Sequence, residues 1–445
     1  MNRILILGAG RSSGYLIEYL LEWSASNSWQ LEIADKSTEH ILPLIQKFPS
    51  AKAIRCDLNN GEERKSLIRG CKMVVSMLPA AMHIEIAQDC IVEKVSMATA
   101  SYESDDLRLL RKEIEDAGLQ FLNECGLDPG IDHMSAMQVI NRLAMEGYRI
   151  TEFRSFCGGL VAKESNTNPW GYKFSWNPRN VILAGSGTAR FLENNRLKFT
   201  PYHRLFAYPV PVEFETGEIY DGYPNRDSIG YQSIYGLQDV QTMIRGTLRY
   251  RGYSEAWNIM VQLGLTDDSY NFPLYKGITY RDFTAAFIQG DEKDPVQGIR
   301  KMVFPTPDQQ AIDKFIWTGL LGNEEIELSA GTPAMILQNL LESKWKLQPQ
   351  DKDLIVMQHQ FTAESDTDRK EITSSLQLEG IDSAHTAMAK TVGLPLAISV
   401  KLLLEKKYTG TGLILPVIPE IYNPVLKELD QEFGIRFVER EQRIS

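Results

Sequence analysis

Residues 126–133 read Gly-Leu-Asp-Pro-Gly-Ile-Asp-His. These eight positions carry two carboxylates, an imidazole, two glycines and a proline. Side chains of these types can hold an ammonium group or move a proton near neutral pH. Pro129 fixes its own φ and lacks an N–H, and Gly130 permits a tight backbone. Asp132 suits the cap of a helix that begins near Met134. One cap needs one acid, so Asp128 is left over as the candidate for chemistry. His133 has two roles open to it, a satisfied helix-start residue or a catalytic group.

A second candidate site is Gly8-Ala9-Gly10-Arg11-Ser12-Ser13-Gly14, between a first strand and a first helix. Gly8 and Gly10 let backbone approach a pyrophosphate, and the helix N-terminus adds N–H donors and partial positive charge. Arg11, Ser12 and Ser13 complete the loop; Ser13 stands where the third fingerprint glycine belongs, and Gly14 comes one place late. A tight turn without a ligand is the alternative. Asp35 ends the second strand, 22 residues beyond Ser13. An acid there accepts bonds from ribose hydroxyls and repels a 2′-phosphate, which favours NAD. Lys36 and Lys52 keep NADP possible, and Asp35 has a helix-start acid as its other reading. Asp57-Leu58, Leu78-Pro79 and Thr99-Ala100-Ser101-Tyr102 end further strands and are expected to line the cofactor and the substrate mouth.

These groups need a scaffold. Strands are expected at Arg3–Leu7, Trp29–Ala34, Lys52–Cys56, Met73–Leu78, Lys94–Ala98 and Leu119–Asn123, with helical patterns such as 14–23, 38–48, 83–93 and 105–117 between them. That alternation is the βαβ rhythm of a doubly wound parallel sheet. From about residue 130 the texture changes. A helix over 134–146 leads to a strand over 149–157, then to a polar, aromatic and glycine-rich stretch with a helix expected at 239–245. Helices at 307–320 and 332–343 and strands at 354–360 and 370–378 point to a mixed sheet, an α+β domain. The tail holds an apolar helix over 384–404, then an apolar run over 413–417, a short helix and a further run over 435–438, and can return to cover the first domain.

Bulk composition narrows the function. A chain of 445 residues calls for two or three domains. A formal net charge of −11 argues against a general nucleic-acid or membrane-surface role, so an anionic ligand needs local arginines. No apolar run is expected to reach the ~18 residues of a membrane span. The chain opens on a strand without a signal peptide, and its five cysteines show no CxxC spacing, so a cytoplasmic protein is expected. His40, His83, His133, His203, His359 and His385 show no metal-ligand spacing, and no metal is expected. A G-x-S-x-G hydrolase elbow does not occur.

Several strings go further: Ala98–Tyr102, Gly126–His133, Cys157-Gly158-Gly159, Tyr172–Trp176, Tyr223–Ser228, Arg245–Tyr250 and Ala387–Pro395. Together they resemble the saccharopine dehydrogenase family, of the L-glutamate-forming type also called saccharopine reductase. The likeness runs through essentially the whole chain in order. It implies an α/β fold: a Rossmann dinucleotide-binding domain, a mixed α/β domain for substrate and dimerisation, and a small helical insertion. The expected bounds are 1–127 with 395–445, 128–165 with 275–394, and 166–274 for the partly helical insertion. There are departures. Ala80 follows Pro79 where an aromatic is common, Arg11-Ser12-Ser13 replaces the usual end of the glycine loop, and Trp170 follows Pro169 where an aliphatic is common.

The resemblance implies NAD(P)-dependent interconversion of saccharopine with L-glutamate and 2-aminoadipate 6-semialdehyde in lysine metabolism, by a homodimer with no nucleic-acid or membrane partner. Saccharopine bears three carboxylates, which suits guanidinium groups. Arg226 and Arg245 are expected to clamp carboxylates, with Gly246 and Thr247 adding bonds, against the alternative of surface ion pairs. Ser101 and Tyr102 are expected on the substrate, and Asp128, Cys157 and Tyr102 at the chemistry. Leu127, Asp128, Pro129, Ala100, Leu78, Asp57, Leu58 and Trp176 are expected at the cofactor. Cys157 has a buried apolar role as its alternative, and Lys173 is a further donor or base candidate. Two rival functions stay in view: a related reductase that makes a polyamine of the carboxynorspermidine or homospermidine type, and a catalytically silent NAD-binding protein.

Overall fold

The computed structural model describes residues 2–184, 187–289 and 294–444, in two compact units. The first unit spans residues 1–146 and 384–437, and the second 147–383 and 438–445.

In the first unit, short apolar strands stack in parallel: β1 (Arg3–Leu7), β2 (Gln30–Asp35), β3 (Ala51–Arg55), β4 (Met73–Ser76), β5 (Ser96–Thr99) and β6 (Gln120–Leu122). A tail strand, Gly412–Ile414, joins beside β6, giving the order tail–β6–β5–β4–β1–β2–β3. β1 and β4 are wholly or nearly buried, as expected of parallel strands covered on both faces. The chain leaves β1 toward β2 on one side and returns to β4 on the other, so the reversal lies between β1 and β4. Ligands of such sheets bind outside the carboxyl ends at that reversal.

β1–β6 form within one or two residues of their predicted places, and the tail strand, expected from the apolar run over 413–417, ends at Ile414. Two differences matter. The helix that follows the Gly126–His133 octet begins at Ile131, not Met134, and belongs to the first unit, where Asn141 Nδ2 donates to Tyr422 OH at 2.7 Å. The unit boundary therefore falls after Glu146, not at 127, and the chain returns at Ala384, not 395. The tail helix Ala387–Leu404 is, among the described residues, the one helix long and apolar enough to cross a membrane, against the sequence expectation. It is a core helix: 78% of its residues are buried inside the protein. Gly393 on it lies so close to the first helix that a Cβ there would sit 2.8 Å from Leu16 N.

The second unit is built on β7 (Arg149–Val161), β8 (Ala189–Glu193), β9 (Arg196–Thr200), β10 (Val210–Glu213), β11 (Ile219–Pro224), β12 (Thr242–Tyr250), β13 (Asp353–Glu364) and β14 (Arg369–Glu379). The order is β10–β11–β12–β7–β13–β14, closed by a tail strand, Val438–Ile444, with the β8–β9 hairpin attached to β12. β12 and β7 run parallel and their other neighbours antiparallel, so the sheet is mixed. Residues 239–245, expected as a helix, instead lead into β12. The run Thr-Met-Ile-Arg-Gly-Thr-Leu-Arg-Tyr suits a central strand, since both its neighbours supply a full ladder. The stretch 166–274 is thus no separate insertion: its strands complete the main sheet. The helices Tyr253–Gln262, Gln309–Trp317 and Pro333–Lys344 gather an aromatic core around Trp170, Trp257 and Trp345.

Gly393→Val tests the tail's place. Its branched side chain meets backbone, which cannot move aside. Urea denaturation is expected to show a loss of about 2 kcal/mol, the usual scale of overpacking.

Candidate active site

The carboxyl edge of the parallel sheet gathers most of the predicted positions. Gly8 adopts φ +91°, and a Cβ there would lie 2.9 Å from Leu78 Cδ2, so these two residues of the loop region touch. Around Gly10 the direction of a missing Cβ is open, with no atom within 4 Å. Ser13 is buried, and its N–H and hydroxyl both donate to Gly10 O, at 3.1 and 2.7 Å. Ser13 therefore braces the loop from inside, which leaves exposed Arg11 and half-buried Ser12 on its outer side. Asp35 holds the loop from the other end. Its Oδ2 accepts from Ala9 N at 2.7 Å and its Oδ1 from Ser37 N at 3.1 Å. Lys36 pairs with Asp57 at 3.4 Å, both well exposed. Leu58 is different from the expectation: its side chain sits in the hydrophobic core, and its carbonyl accepts from Arg64.

The octet folds on itself. Gly126 N donates to Pro129 O at 2.8 Å across a cis Asp128–Pro129 peptide, and Ile131 N returns to Gly126 O at 2.9 Å. Gly130, at φ +146°, lies so close that a Cβ would be 2.0 Å from Gly126 O. Asp132 does not precede its helix as a cap. It sits in the first turn and reaches back, accepting from Gly130 N at 2.6 Å. Of the eight residues only Asp128 is not buried. Tyr102 OH donates to Asp128 Oδ1 at 2.9 Å, which joins two residues chosen for chemistry.

Below this surface lies a buried polar layer. Glu124, with a left-handed φ of +57°, accepts from Glu103 N at 3.0 Å and lies 2.8 Å from His133 Nε2. His133 Nδ1 is 3.6 Å from Asp132. His133 thus takes the helix-start role, tied to Glu124. A second histidine lies at the ends of β4 and β5. His83 Nδ1 is 3.0 Å from Ser76 Oγ, and its Nε2 is 2.8 Å from Ser101 Oγ and 3.4 Å from Thr99 Oγ1. Burial pushes its pKa down to about 4, so the ring is neutral at physiological pH.

In the second unit, Arg226 follows β11 in a turn with φ +52°. The turn is pinned by β8: Arg190 N donates to Arg226 O, Ser228 N donates to Arg190 O, and the Arg190 guanidinium pairs with Asp227. Arg226 itself is exposed. Arg245 on β12 is buried, its guanidinium 4.2 Å above the Tyr231 ring, and its N–H donates to Ser228 Oγ. Gly246 is a packing glycine, since a Cβ there would lie 2.5 Å from Tyr223 O and 2.6 Å from Phe156. Cys157 does not end its strand as expected. It lies inside β7, opposite Thr247 of β12 and Met357 of β13. Trp176 is half-buried, and its indole N–H donates to Tyr172 OH. Lys173 is committed to a buried pair with Asp351 at 2.6 Å, which leaves it a structural role.

A family profile described as the saccharopine dehydrogenase NADP binding domain matches residues 4–122, and one described as the saccharopine dehydrogenase C-terminal domain matches 126–435. The chain belongs to the saccharopine dehydrogenase family. It is 31% identical over 446 residues to the saccharopine dehydrogenase [NADP(+), L-glutamate-forming] of Saccharomyces cerevisiae, covering 99% of both chains. It is 34% identical to the mitochondrial alpha-aminoadipic semialdehyde synthase of Mus musculus, of which it spans about half, 47%. A solved apo structure of the yeast L-glutamate-forming enzyme matches with a TM-score of 0.85 over the whole of both chains at 30% identity. A homospermidine synthase from Legionella pneumophila shares the fold, with a TM-score of 0.56 at 10% identity over 99% of this chain and 91% of that one.

Within this family member, His83 and Glu124 are the residues that sequence reasoning passed over. Sequence pattern places His83 at the start of a helix over 83–93, just after Leu78-Pro79 and so on the carboxyl edge, but does not show its partners. Glu124 directly precedes the octet, but only its left-handed backbone turns it under the loop.

The neutral state of His83 gives stability a pH dependence. In the unfolded chain a histidine takes up a proton near pH 6.5, and in the fold only near pH 4, so stability falls as pH drops through that window. The full difference is roughly 3 kcal/mol. Denaturation curves at pH 7 and pH 4 are expected to show a shallower loss for His83→Gln than for the wild type by about that amount.

Proposed function

We propose that the chain interconverts saccharopine with L-glutamate and 2-aminoadipate 6-semialdehyde, as an NAD(P)-dependent oxidoreductase on a CH–NH group. The observation that carries this reading is Asp128: the one half-exposed residue of its octet, fixed by Tyr102, on the same sheet edge as the glycine loop. The residues present suit a dinucleotide. Open space over Gly10, a helix beginning at Gly14 and a carboxylate at the end of β2 are the features such a ligand uses. The family name and the full-length yeast relative agree with the substrate.

In the oxidative direction saccharopine and water give glutamate, the semialdehyde, two electrons and protons. A bound nicotinamide supplies the acceptor for the electron pair. The chain's own residues handle the rest. The secondary amine must lose its proton before the C–H bond breaks, and Asp128 is assigned to that amine. Tyr102 fixes the plane of the Asp128 carboxylate. Water then adds to the imine carbon, and the departing glutamate nitrogen must gain a proton. Arg226 and Arg245 are assigned to substrate carboxylates, Arg245 from a buried position where its charge is little screened. Cys157, Thr247 and Ser101 are assigned to the substrate surroundings.

The fungal relatives carry NADP(+) in their names. Here Asp35 favours NAD, because a fixed carboxylate at the end of β2 faces the place of a 2′-phosphate. NADP is the second reading, supported by those names and by exposed Lys36 and Lys52. We also assign the chain to a cytoplasmic homodimer; the mouse relative is mitochondrial by name.

One assay tests the reaction: turnover of NAD(H) and NADP(H) with saccharopine, and with glutamate plus the semialdehyde. Turnover is the expected outcome. Dinucleotide binding without any turnover supports the silent reading, and turnover with a diamine substrate supports the polyamine reading. Arg226→Ala is expected to raise KM for saccharopine about tenfold or more, the loss of one charged pair; an unchanged kcat/KM removes Arg226 from the clamp. Asp35→Ser is expected to raise the NADP to NAD ratio of kcat/KM at least about tenfold. A wild type that already prefers NADP refutes the NAD preference.

A further inference from the structure

We propose that His83 is a positioning residue that fixes the direction of the Ser101 hydroxyl, so that Ser101 donates its proton to a carboxylate of the substrate. The inference rests on the functional reading above. His83 opens the helix His83–Glu93, which follows the turn Ala80–Met82 at the end of β4. Its ring spans the carboxyl ends of β4 and β5, with Ser76 on one nitrogen and Ser101 on the other.

A neutral imidazole has one N–H and one lone-pair nitrogen. Suppose the proton sits on Nδ1. It then donates to Ser76, and the Ser76 hydroxyl proton, in a fully buried site, loses its acceptor. Ser101, at 2.8 Å nearer to Nε2 than Thr99 at 3.4 Å, is then the better donor to it, and with its only proton spent it can offer an anion nothing but lone pairs. Suppose instead that the proton sits on Nε2. Ser76 donates to Nδ1, Nε2 donates to Ser101 Oγ, and the Ser101 proton is left for a ligand. A buried hydroxyl without an acceptor is the costlier choice, so burial of Ser76 selects the second arrangement. Ser101 N donates to Thr99 Oγ1 at 3.2 Å, which fixes its backbone, and the residue is half-buried, so its hydroxyl can reach a ligand. A carboxylate is the natural acceptor for a hydroxyl whose lone pair is already filled by an N–H.

The test is a double-mutant cycle on kcat/KM for saccharopine, with dinucleotide affinity measured by fluorescence titration. His83→Asn keeps a group near Nδ1 and loses the donor at Nε2. It is expected to raise KM about tenfold with kcat and dinucleotide affinity little changed. His83→Gln places an amide N–H near the Nε2 position and is expected to recover most of the loss. Ser101→Ala is expected to cost a similar factor, and the Ser101→Ala/His83→Asn double variant no more than Ser101→Ala alone. Ser76→Ala, a milder change, releases the tautomer and is expected to raise KM several-fold by the same route. It also serves if His83→Asn fails to fold. Costs that multiply in the double variants, or a His83→Asn or Ser76→Ala enzyme with wild-type KM, overturn the inference alone. A wild type that does not turn over saccharopine overturns the functional reading and the inference with it.

Discussion

The backbone contact between Gly126 and Gly130 is the constraint on which the rest of the first unit's site depends. A side chain at Gly130 would occupy the space of the Gly126 peptide, and one at Gly126 would sit 2.9 Å from Ala100 Cβ. With both positions bare, the chain doubles back within five residues and starts a helix at once. That compactness sorts the two acids of the octet. Asp132 is drawn under the loop to satisfy Gly130 N, and Asp128 is pushed to the surface beside Tyr102. Two carboxylates four residues apart thus meet opposite solvation, and only one remains accessible to a ligand.

Burial of Asp132, Glu124 and His133 carries a desolvation cost, which is tolerable only when the groups satisfy one another. Here the acids flank one imidazole and accept backbone N–H bonds, Glu124 from Glu103 and Asp132 from Gly130. This layer joins the end of β6, the segment after Tyr102 and the new helix. The loop is therefore held from below by directional bonds, and Tyr102 and Asp128 meet above it. The tail adds a second brace. Gly393 packs against Leu16 and lies within 3.4 Å of Ser12 O through its missing Cβ, so the glycine loop is backed by chain more than 370 residues distant.

What the sequence made legible follows from the range of the interactions. The first sheet could be read strand by strand, because each strand is a local apolar run ended by turn residues. Asp128 and Asp35 could be read for the same reason, from their place at strand ends. The helix expected at 239–245 failed because β12 owes its form to β7 and β11, which lie far away in the chain. The same holds for Cys157, read as a strand end because two glycines follow it. Gly158 admits the close approach of Leu248 and Gly159 pairs with Ile355, so the strand runs on. The buried neighbours of His83 come from two strands, and no spacing in the sequence announces them. Gly246, expected to add a bond to the substrate, also has to lack a side chain for packing against Phe156, which its own sequence surroundings do not announce.

Fold likeness alone does not choose the substrate, as the homospermidine synthase with the same architecture shows. The choice lies in charge. A polyamine substrate is cationic and calls for acids and aromatic faces without competing cations. In the second unit three tyrosine faces are already taken by arginines. Arg245 lies over Tyr231, and Arg249, two turns of the strand pleat further on, is buried against Tyr172 and Tyr253. Among the described residues no carboxylate pairs with Arg249, and its guanidinium, which keeps its proton throughout the physiological range, stays charged among the tyrosines. Arg249 thus places a buried positive charge on β12 in a protein whose net charge is −11. A cation brought to that strand would be repelled at low dielectric, where screening is weak. A tricarboxylate would be drawn there. The charge on β12 therefore suits an anionic ligand better than a cationic one.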